Sequence, residues 1–197
     1  MKIVVATNNK KKRHELAAIL QSCGIELVPA ADTLHIEVLE DGTSFAENAG
    51  KKAAAFAKLN MLPALADDSG LCVDALNGAP GVHSARYAGE EGNDEANNRK
   101  LLHQLEGIEQ RSAHFICAIH LAFPDDRPSI TAEGCVQGVI QKLPSGNTGF
   151  GYDPLFYSSE LGKLFAEASS EEKASISHRG RALRALVCQL ETAKPSS

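Results

Sequence analysis

Residues 2–28, KIVVATNNKKKRHELAAILQSCGIELV, carry the reading that decides the fold. The apolar run from Lys2 to Ala6 ends at Thr7-Asn8-Asn9, as a buried strand does where it meets a turn. Leu16, Ile19, Leu20 and Cys23 then recur at helical spacing, which predicts a helix that Gly24 can stop. Ile25 to Val28 reads as a second strand. Further along, Glu40-Asp41-Gly42-Thr43 has turn chemistry. A second helix is predicted from Ser44 to about Leu59, with Phe45, Ala49, Ala53, Phe56 and Ala57 facing inward and Pro63 marking its end. Ala64-Leu65-Ala66 is a short strand running into Asp67-Asp68-Ser69-Gly70, and Leu71 to Leu76 continues extended. Asn77-Gly78-Ala79-Pro80-Gly81 is a loop.

Asn93 or Asp94 can cap a third helix carrying Leu101, Leu102 and Leu105. His114 to Phe123 and Ile130 to Ile140 are long strands. Pro124-Asp125-Asp126-Arg127-Pro128 between them predicts an antiparallel hairpin. Pro144-Ser145-Gly146-Asn147 opens a loop that leads to Gly149-Phe150-Gly151-Tyr152-Asp153-Pro154. Ser169-x-x-Glu172 fits a capping box, and Leu183, Leu186, Val187 and Leu190 form the apolar stripe of a last helix. Lys194-Pro195-Ser196-Ser197 should fray. Strand–helix alternation followed by a long hairpin argues for an α/β fold with a mixed sheet flanked by helices.

The chain has 197 residues and a formal net charge of −5 with histidines neutral. That length can bury a real core, and nothing resembles a linker between independent domains, so residues 1–197 are read as a single domain. An acidic balance disfavours a nucleic-acid polymer as partner, while local basic clusters could still hold a polyphosphate. Cys23, Cys72, Cys117, Cys135 and Cys188 are scattered and form no C-x-x-C pair, the pattern of reduced thiols. Met1-Lys2-Ile3-Val4-Val5 opens without a signal-peptide apolar stretch, and no apolar run approaches the roughly 18 residues of a membrane span. A cytoplasmic setting is expected.

Four segments could carry chemistry. In the first, Thr7-Asn8-Asn9-Lys10-Lys11-Lys12 lies between a strand and a helix start, where exposed N–H groups favour anions. It matches neither G-x-x-x-x-G-K-[ST] nor G-x-G-x-x-G, and an ordinary βα turn with a solvated basic first turn is the competing reading. Lysines near a helix N-terminus are unfavourable by roughly 0.3–1 kcal/mol each, which a bound anion would offset. The second is the acidic set Glu40, Asp41, Asp67 and Asp68. Mg²⁺ takes one or two carboxylates plus waters and substrate phosphates. Strand alternation allows only one of Asp67 and Asp68 to face a site directly, and a turn with an aspartate cap is the alternative.

The third is Gly149 to Asp153, where Phe150 or Tyr152 could offer a face to a base, or equally tuck into the core. The fourth is Ser177-His178-Arg179-Gly180, where His178 and Arg179 are donors beside a helix start, though such residues usually lie on the surface. The other histidines, His14, His35, His83, His103, His114 and His120, lack metal-site spacing.

Read together, these segments resemble the inosine triphosphate pyrophosphatase family in its bacterial form. The resemblance runs from the first strand to the last helix. It is carried by Ala6-Thr7-Asn8-Asn9 with Lys12, Phe45-x-Glu47-Asn48-Ala49, Ala66-Asp67-Asp68-Ser69-Gly70-Leu71, Gly78-Ala79-Pro80-Gly81 with Ser84-Ala85-Arg86-Tyr87, Gly149-Phe150-Gly151-Tyr152-Asp153-Pro154 and Ser177-His178-Arg179-Gly180. Asn8 stands where the family often has glycine, and Lys11 where it often has a small residue.

The resemblance implies an elongated mixed sheet with helices, two lobes with a substrate cleft between them, and a homodimer. It implies Mg²⁺-dependent hydrolysis of dITP, ITP or XTP to the monophosphate and pyrophosphate. On this basis Thr7, Asn8, Asn9, Lys10, Lys11 and Lys12 hold the triphosphate together with Lys52, and Ser69 touches substrate. Asp68 binds metal and accepts the proton, with Glu40, or its neighbour Asp41, as second ligand. Phe150, Gly151, Tyr152 and Asp153 line the base and sugar pocket, with Phe150 stacking, and Lys173, His178 and Arg179 reach the base. A pyrophosphatase for other modified bases, a phosphohydrolase releasing orthophosphate and a non-catalytic nucleotide sensor are the rival readings.

Overall fold

The computed structural model describes residues 1–7, 9–22, 24–90, 92–125 and 127–192. Expectations that fall on Asn8, Cys23, Asp126 and residues 194–197 lie outside the described residues. Among the described residues seven strands form one mixed sheet: β1 (Lys2–Val5), β2 (Glu26–Leu27), β3 (Ala64–Val73), β4 (Ser112–Ala122), β5 (Ile130–Ile140), β6 (Phe156–Ser158) and β7 (Lys163–Leu164), in the order β2-β1-β3-β4-β5-β6-β7. The helices are α1 (Lys10–Ser22), α2 (Phe45–Asn60), α3 (Asp94–Gln104), α4 (Ser170–Ile176) and α5 (His178–Thr192). β1 pairs in parallel with β2 and β3, whereas β5–β6 and β6–β7 are antiparallel. Parallel neighbours need crossover connections, and α1 and α2 supply them.

Contacts divide the chain into two compact units. The first comprises Met1–Asp68, Cys117–Gly134 and the chain from Arg179 onward; the second comprises Ser69–Ile116 and Cys135–His178. In the first unit, β1 is covered on both faces, which is why its sequence is continuously apolar. Ile3 and Val5 pack with Leu16 and Leu20 of α1 and Leu183 and Leu186 of α5. Val4 and Ala6 point the other way, onto Ala53, Phe56 and Ala57 of α2. Ser44 caps α2 by accepting the Glu47 N–H at 3.2 Å, and Met61 ends it in the left-handed region. The second unit has its own core, in which Leu101 and Leu105 of α3 meet Leu71, Val73, Phe115, Val136, Ile140 and Phe156 from four strands. The Phe156 ring lies 4.6 Å from that of Phe115 and 4.9 Å from that of Phe165.

Several expectations change. Asp67-Asp68-Ser69-Gly70 is neither a turn nor a strand end but the middle of the ten-residue β3. Asp67 and Asp68 meet partners distant in sequence, Arg179 and Asn48, so the two aspartates sit inside the strand. Asp74–Leu76 is a helical turn rather than extended chain, closed by the Asn77 N–H to Asp74 carbonyl bond at 3.1 Å. The capping box at Ser169 starts the separate helix α4. Ser177 returns to extended geometry at its end, and α5 begins at His178. β6 and β7 were not anticipated. Among the described residues no helix is long and apolar enough to cross a membrane.

Candidate active site

In the first unit the site begins at the end of β1. Asn9 caps α1: its Oδ1 accepts the N–H groups of Lys11 and Lys12 at 3.0 and 3.1 Å, and its own N–H donates to Thr7 Oγ1 at 3.2 Å. Lys10 and Lys11 are exposed, while Lys12 turns inward to within 3.5 Å of Asp67 Oδ2.

β3 then separates its two aspartates, as strand alternation requires. Asp67 is 1% exposed. It accepts Arg179 Nε and Nη2 at 3.2 Å each, and Arg179 Nη1 also donates to Glu15. Burial would raise the Asp67 carboxyl, but Lys12, Arg179 and Lys52 outweigh it and hold it well below its ordinary value. Burial likewise works against the Arg179 charge, and Asp67 and Glu15 overcome it. Arg179 was expected to reach a base; its guanidinium, 2% exposed, is instead committed to these two carboxylates.

Asp68 faces a different set. Its Oδ2 accepts Asn48 Nδ2 at 3.0 Å, and Lys52 Nζ lies 3.9 Å from its Oδ1 and 2.8 Å from Glu40 Oε2. Here burial prevails over Lys52, Lys12 and Asn48, so the Asp68 carboxyl stands above its ordinary value. Its negative charge is under-compensated, the condition a bound cation would relieve. Burial opposes the Lys52 charge, but Asp67, Asp68 and Glu40 together raise it. Asp41 is drawn away: Lys51 Nζ holds it at 2.7 Å and Glu47 at 2.9 Å. The geometry therefore favours Glu40 over Asp41 as the companion of Asp68.

Among the described residues no group of three His, Cys, Asp or Glu could hold a metal. The two hard oxygen donors, Glu40 and Asp68, suit a divalent cation that completes its shell with water and substrate phosphate, and Lys52 suits the phosphate charge.

The second unit positions the glycine-flanked loop. Asp153 Oδ2 accepts the Phe150 N–H at 2.8 Å and Lys173 Nζ at 2.6 Å. Lys173 Nζ also lies 4.9 Å above the half-buried Phe150 ring. Gly149 has φ +78°, and a Cβ there would fall 2.2 Å from that same Asp153 oxygen, so glycine is required twice over. The Gly151 N–H donates to Asp94 Oδ2 at 2.9 Å, and its carbonyl accepts Asn98 Nδ2 at 2.9 Å. Tyr152 was expected to line a pocket. Its ring belongs to the core, its hydroxyl donates to the Ser84 carbonyl at 2.9 Å, and its own carbonyl accepts the N–H groups of Leu155 and Phe156. Ser69 is half-buried on β3, and His178 is buried, stacked on Phe115 at 4.8 Å.

Glu15, Asn48, Asp94 and Asn98 complete these sets and were not anticipated as site residues. Only Asn48 had a signal, its place in the Phe45-x-Glu47-Asn48-Ala49 motif.

The first unit gathers carboxylates and lysines and the second holds an aromatic ring under a lysine, each a kind of group that a nucleotide-hydrolysing enzyme uses. The chain belongs to the Ham1 family, whose model matches residues 3–189. It is 55% identical over 187 residues to a dITP/XTP pyrophosphatase of Desulforamulus reducens, covering 93% of this chain and 92% of that one. A dITP/XTP pyrophosphatase of Syntrophobacter fumaroxidans is 53% identical over 182 residues, 92% of this chain and 78% of that one. Among solved structures, a HAM1 protein from Coxiella burnetii superposes with TM-score 0.88 at 41% identity, over 98% of this chain and 100% of that one.

Proposed function

We propose that the chain hydrolyses non-standard purine nucleoside triphosphates, ITP, dITP and XTP, to the monophosphate and pyrophosphate with Mg²⁺, and so cleanses the nucleotide pool. The observation that carries this is the pairing of Glu40 and Asp68 about Lys52, with the Asp68 carboxyl raised by burial. Thr7, Asn8, Asn9, Lys10, Lys11, Lys12, Lys52 and Ser69 take the triphosphate. Glu40 and Asp68 hold Mg²⁺, which when bound neutralises phosphate charge. Asp68 accepts the proton of a water whose oxygen bonds to phosphorus as the α–β anhydride breaks. Lys12 and Lys52 stabilise charge on the departing pyrophosphate. A cytoplasmic homodimer, with residues 1–197 acting as one domain, belongs to the same proposal.

Phe150 stacks on the base, with Gly151, Tyr152 and Asp153 beside it and Lys173 and His178 nearby. Hypoxanthine and xanthine carry an acceptor oxygen where adenine carries an amino donor, so protein donors at that edge favour the former. Arg179 was expected among those donors; its pairing with Asp67 and Glu15 leaves the role to His178, Lys173 and backbone N–H groups.

The test is product analysis with ITP, XTP, GTP and ATP, with Mg²⁺ and with EDTA, scoring pyrophosphate and orthophosphate separately. Pyrophosphate from ITP and XTP that EDTA abolishes is the expected result; orthophosphate, or binding without product, would defeat the proposal. Phe150→Ala should raise KM for ITP about 5- to 100-fold, the worth of one base–aromatic stack, with kcat changed far less. An unchanged KM would remove Phe150 from the base site.

A further inference from the structure

Asn48 is assigned no part in the reaction above, yet it is 1% exposed in the midst of the carboxylates. A buried amide must be hydrogen-bonded, and both of its ends are. Oδ1 accepts the Gly42 N–H at 2.8 Å, and Nδ2 donates to Asp68 Oδ2 at 3.0 Å. Gly42 lies two residues beyond Glu40. The amide therefore ties the segment that bears Glu40 to the carboxylate of Asp68. Lys52, one helical turn along α2, contacts the same two carboxylates.

Gly42 supplies independent support. A Cβ there would fall 2.5 Å from Asn48 Oδ1 and 3.1 Å from Glu47 Cβ, although its φ lies outside the left-handed region. Room for the Asn48 amide, not backbone conformation, is what requires glycine.

We propose that Asn48 is a positioning residue whose amide fixes the Glu40 segment against the Asp68 carboxylate, setting the spacing at which the two share a divalent cation. This rests on the reading of Glu40 and Asp68 as the metal's carboxylates. Asn48→Ala should lower kcat for ITP about 10- to 100-fold, the range for losing a hydrogen bond to a charged group. KM for ITP at saturating Mg²⁺ should stay within about threefold, while the Mg²⁺ concentration for half-maximal rate rises about tenfold by the same argument. Binding of α,β-methylene-ITP gives a readout without turnover. Mg²⁺ should strengthen it in the wild type and much less in the variant, with metal-free binding alike in both.

Gly42→Ala, which displaces the amide without altering it, should move the same quantities in the same direction. The double variant should be no worse than Asn48→Ala alone, because the effects run through one side chain.

A merely structural role would lower thermal stability and leave the Mg²⁺ dependence in place. A folded Asn48→Ala protein with wild-type kcat and Mg²⁺ dependence overturns the proposal, as do additive single effects. If Asn48→Ala does not fold, Gly42→Ala decides by the same readouts. Wild-type protein that releases no pyrophosphate would instead overturn the underlying reading, a result distinct from an active wild type indifferent to both substitutions.

Discussion

Asp68→Asn should lower kcat for ITP by about a thousandfold or more and leave the protein folded. Loss of a general base costs about 10²- to 10⁴-fold by itself, and the same change removes a carboxylate from the metal. The substitution keeps the side chain's volume and an oxygen to accept Asn48 Nδ2, so packing around α2 survives. Lys52 keeps Glu40 at 2.8 Å and is not stranded. The carboxyl being removed is one that burial disfavours in its charged form, so its loss should not destabilise. The measurement is steady-state turnover with pyrophosphate detection alongside a thermal melt. Turnover like wild type in a folded Asp68→Asn protein would take the proton acceptor's role from Asp68.

Asp67→Asn supplies the contrast within the same strand. Asp67 points to the other face, where Lys12 and Arg179 neutralise it, so it lacks the chemical reason to act as a base. Strand alternation made that division readable in advance: only one of two adjacent aspartates could serve. Which one, and with what partners, was not readable from spacing, since Arg179 follows Asp67 by 112 residues. Local patterns report what a residue's neighbours in sequence demand, and a buried ion pair between distant elements leaves no such trace.

The same distinction runs through the fold. The unbroken apolar stretch of β1 announced a strand covered on both faces, and the spacing in α1, α2 and α5 announced which sides pack. β6 and β7, three and two residues long, are too short to show any period. The start of α5 beside His178 was legible, whereas α4, seven residues long, showed only the capping signal at Ser169. Tyr152 looked like a loop aromatic open to ligand. Its partner, the Ser84 carbonyl, lies 68 residues away. Asn48 sat inside a motif, but asparagine on a helix gives no hint of what its amide will meet.

Arg179→Met should cost about 3–5 kcal/mol of stability while leaving the preference for ITP over ATP within about threefold. Asp67 has no exposed side-chain surface and Arg179 is 2% exposed, so removing the cation takes the guanidinium, 3.2 Å away, from a buried carboxylate that Lys12 approaches only to 3.5 Å. Glu15 loses a partner as well. Breaking one side of a buried pair is far costlier than replacing both sides with neutral groups, because the cost lies in the charge left behind. In a chain of this length that corresponds to a fall in Tm on the order of 10 °C. Asp67→Asn combined with Arg179→Met should therefore recover much of the loss, a strongly non-additive pair. Base selection should be indifferent, because a guanidinium bonded to two carboxylates has little left to offer a purine oxygen. Thermal melts of the single and double variants, with kcat/KM for ITP and ATP, separate the roles. An Arg179→Met protein as stable as wild type that no longer prefers ITP would mean that the guanidinium leaves Asp67 and Glu15 when nucleotide binds, and reads the base after all.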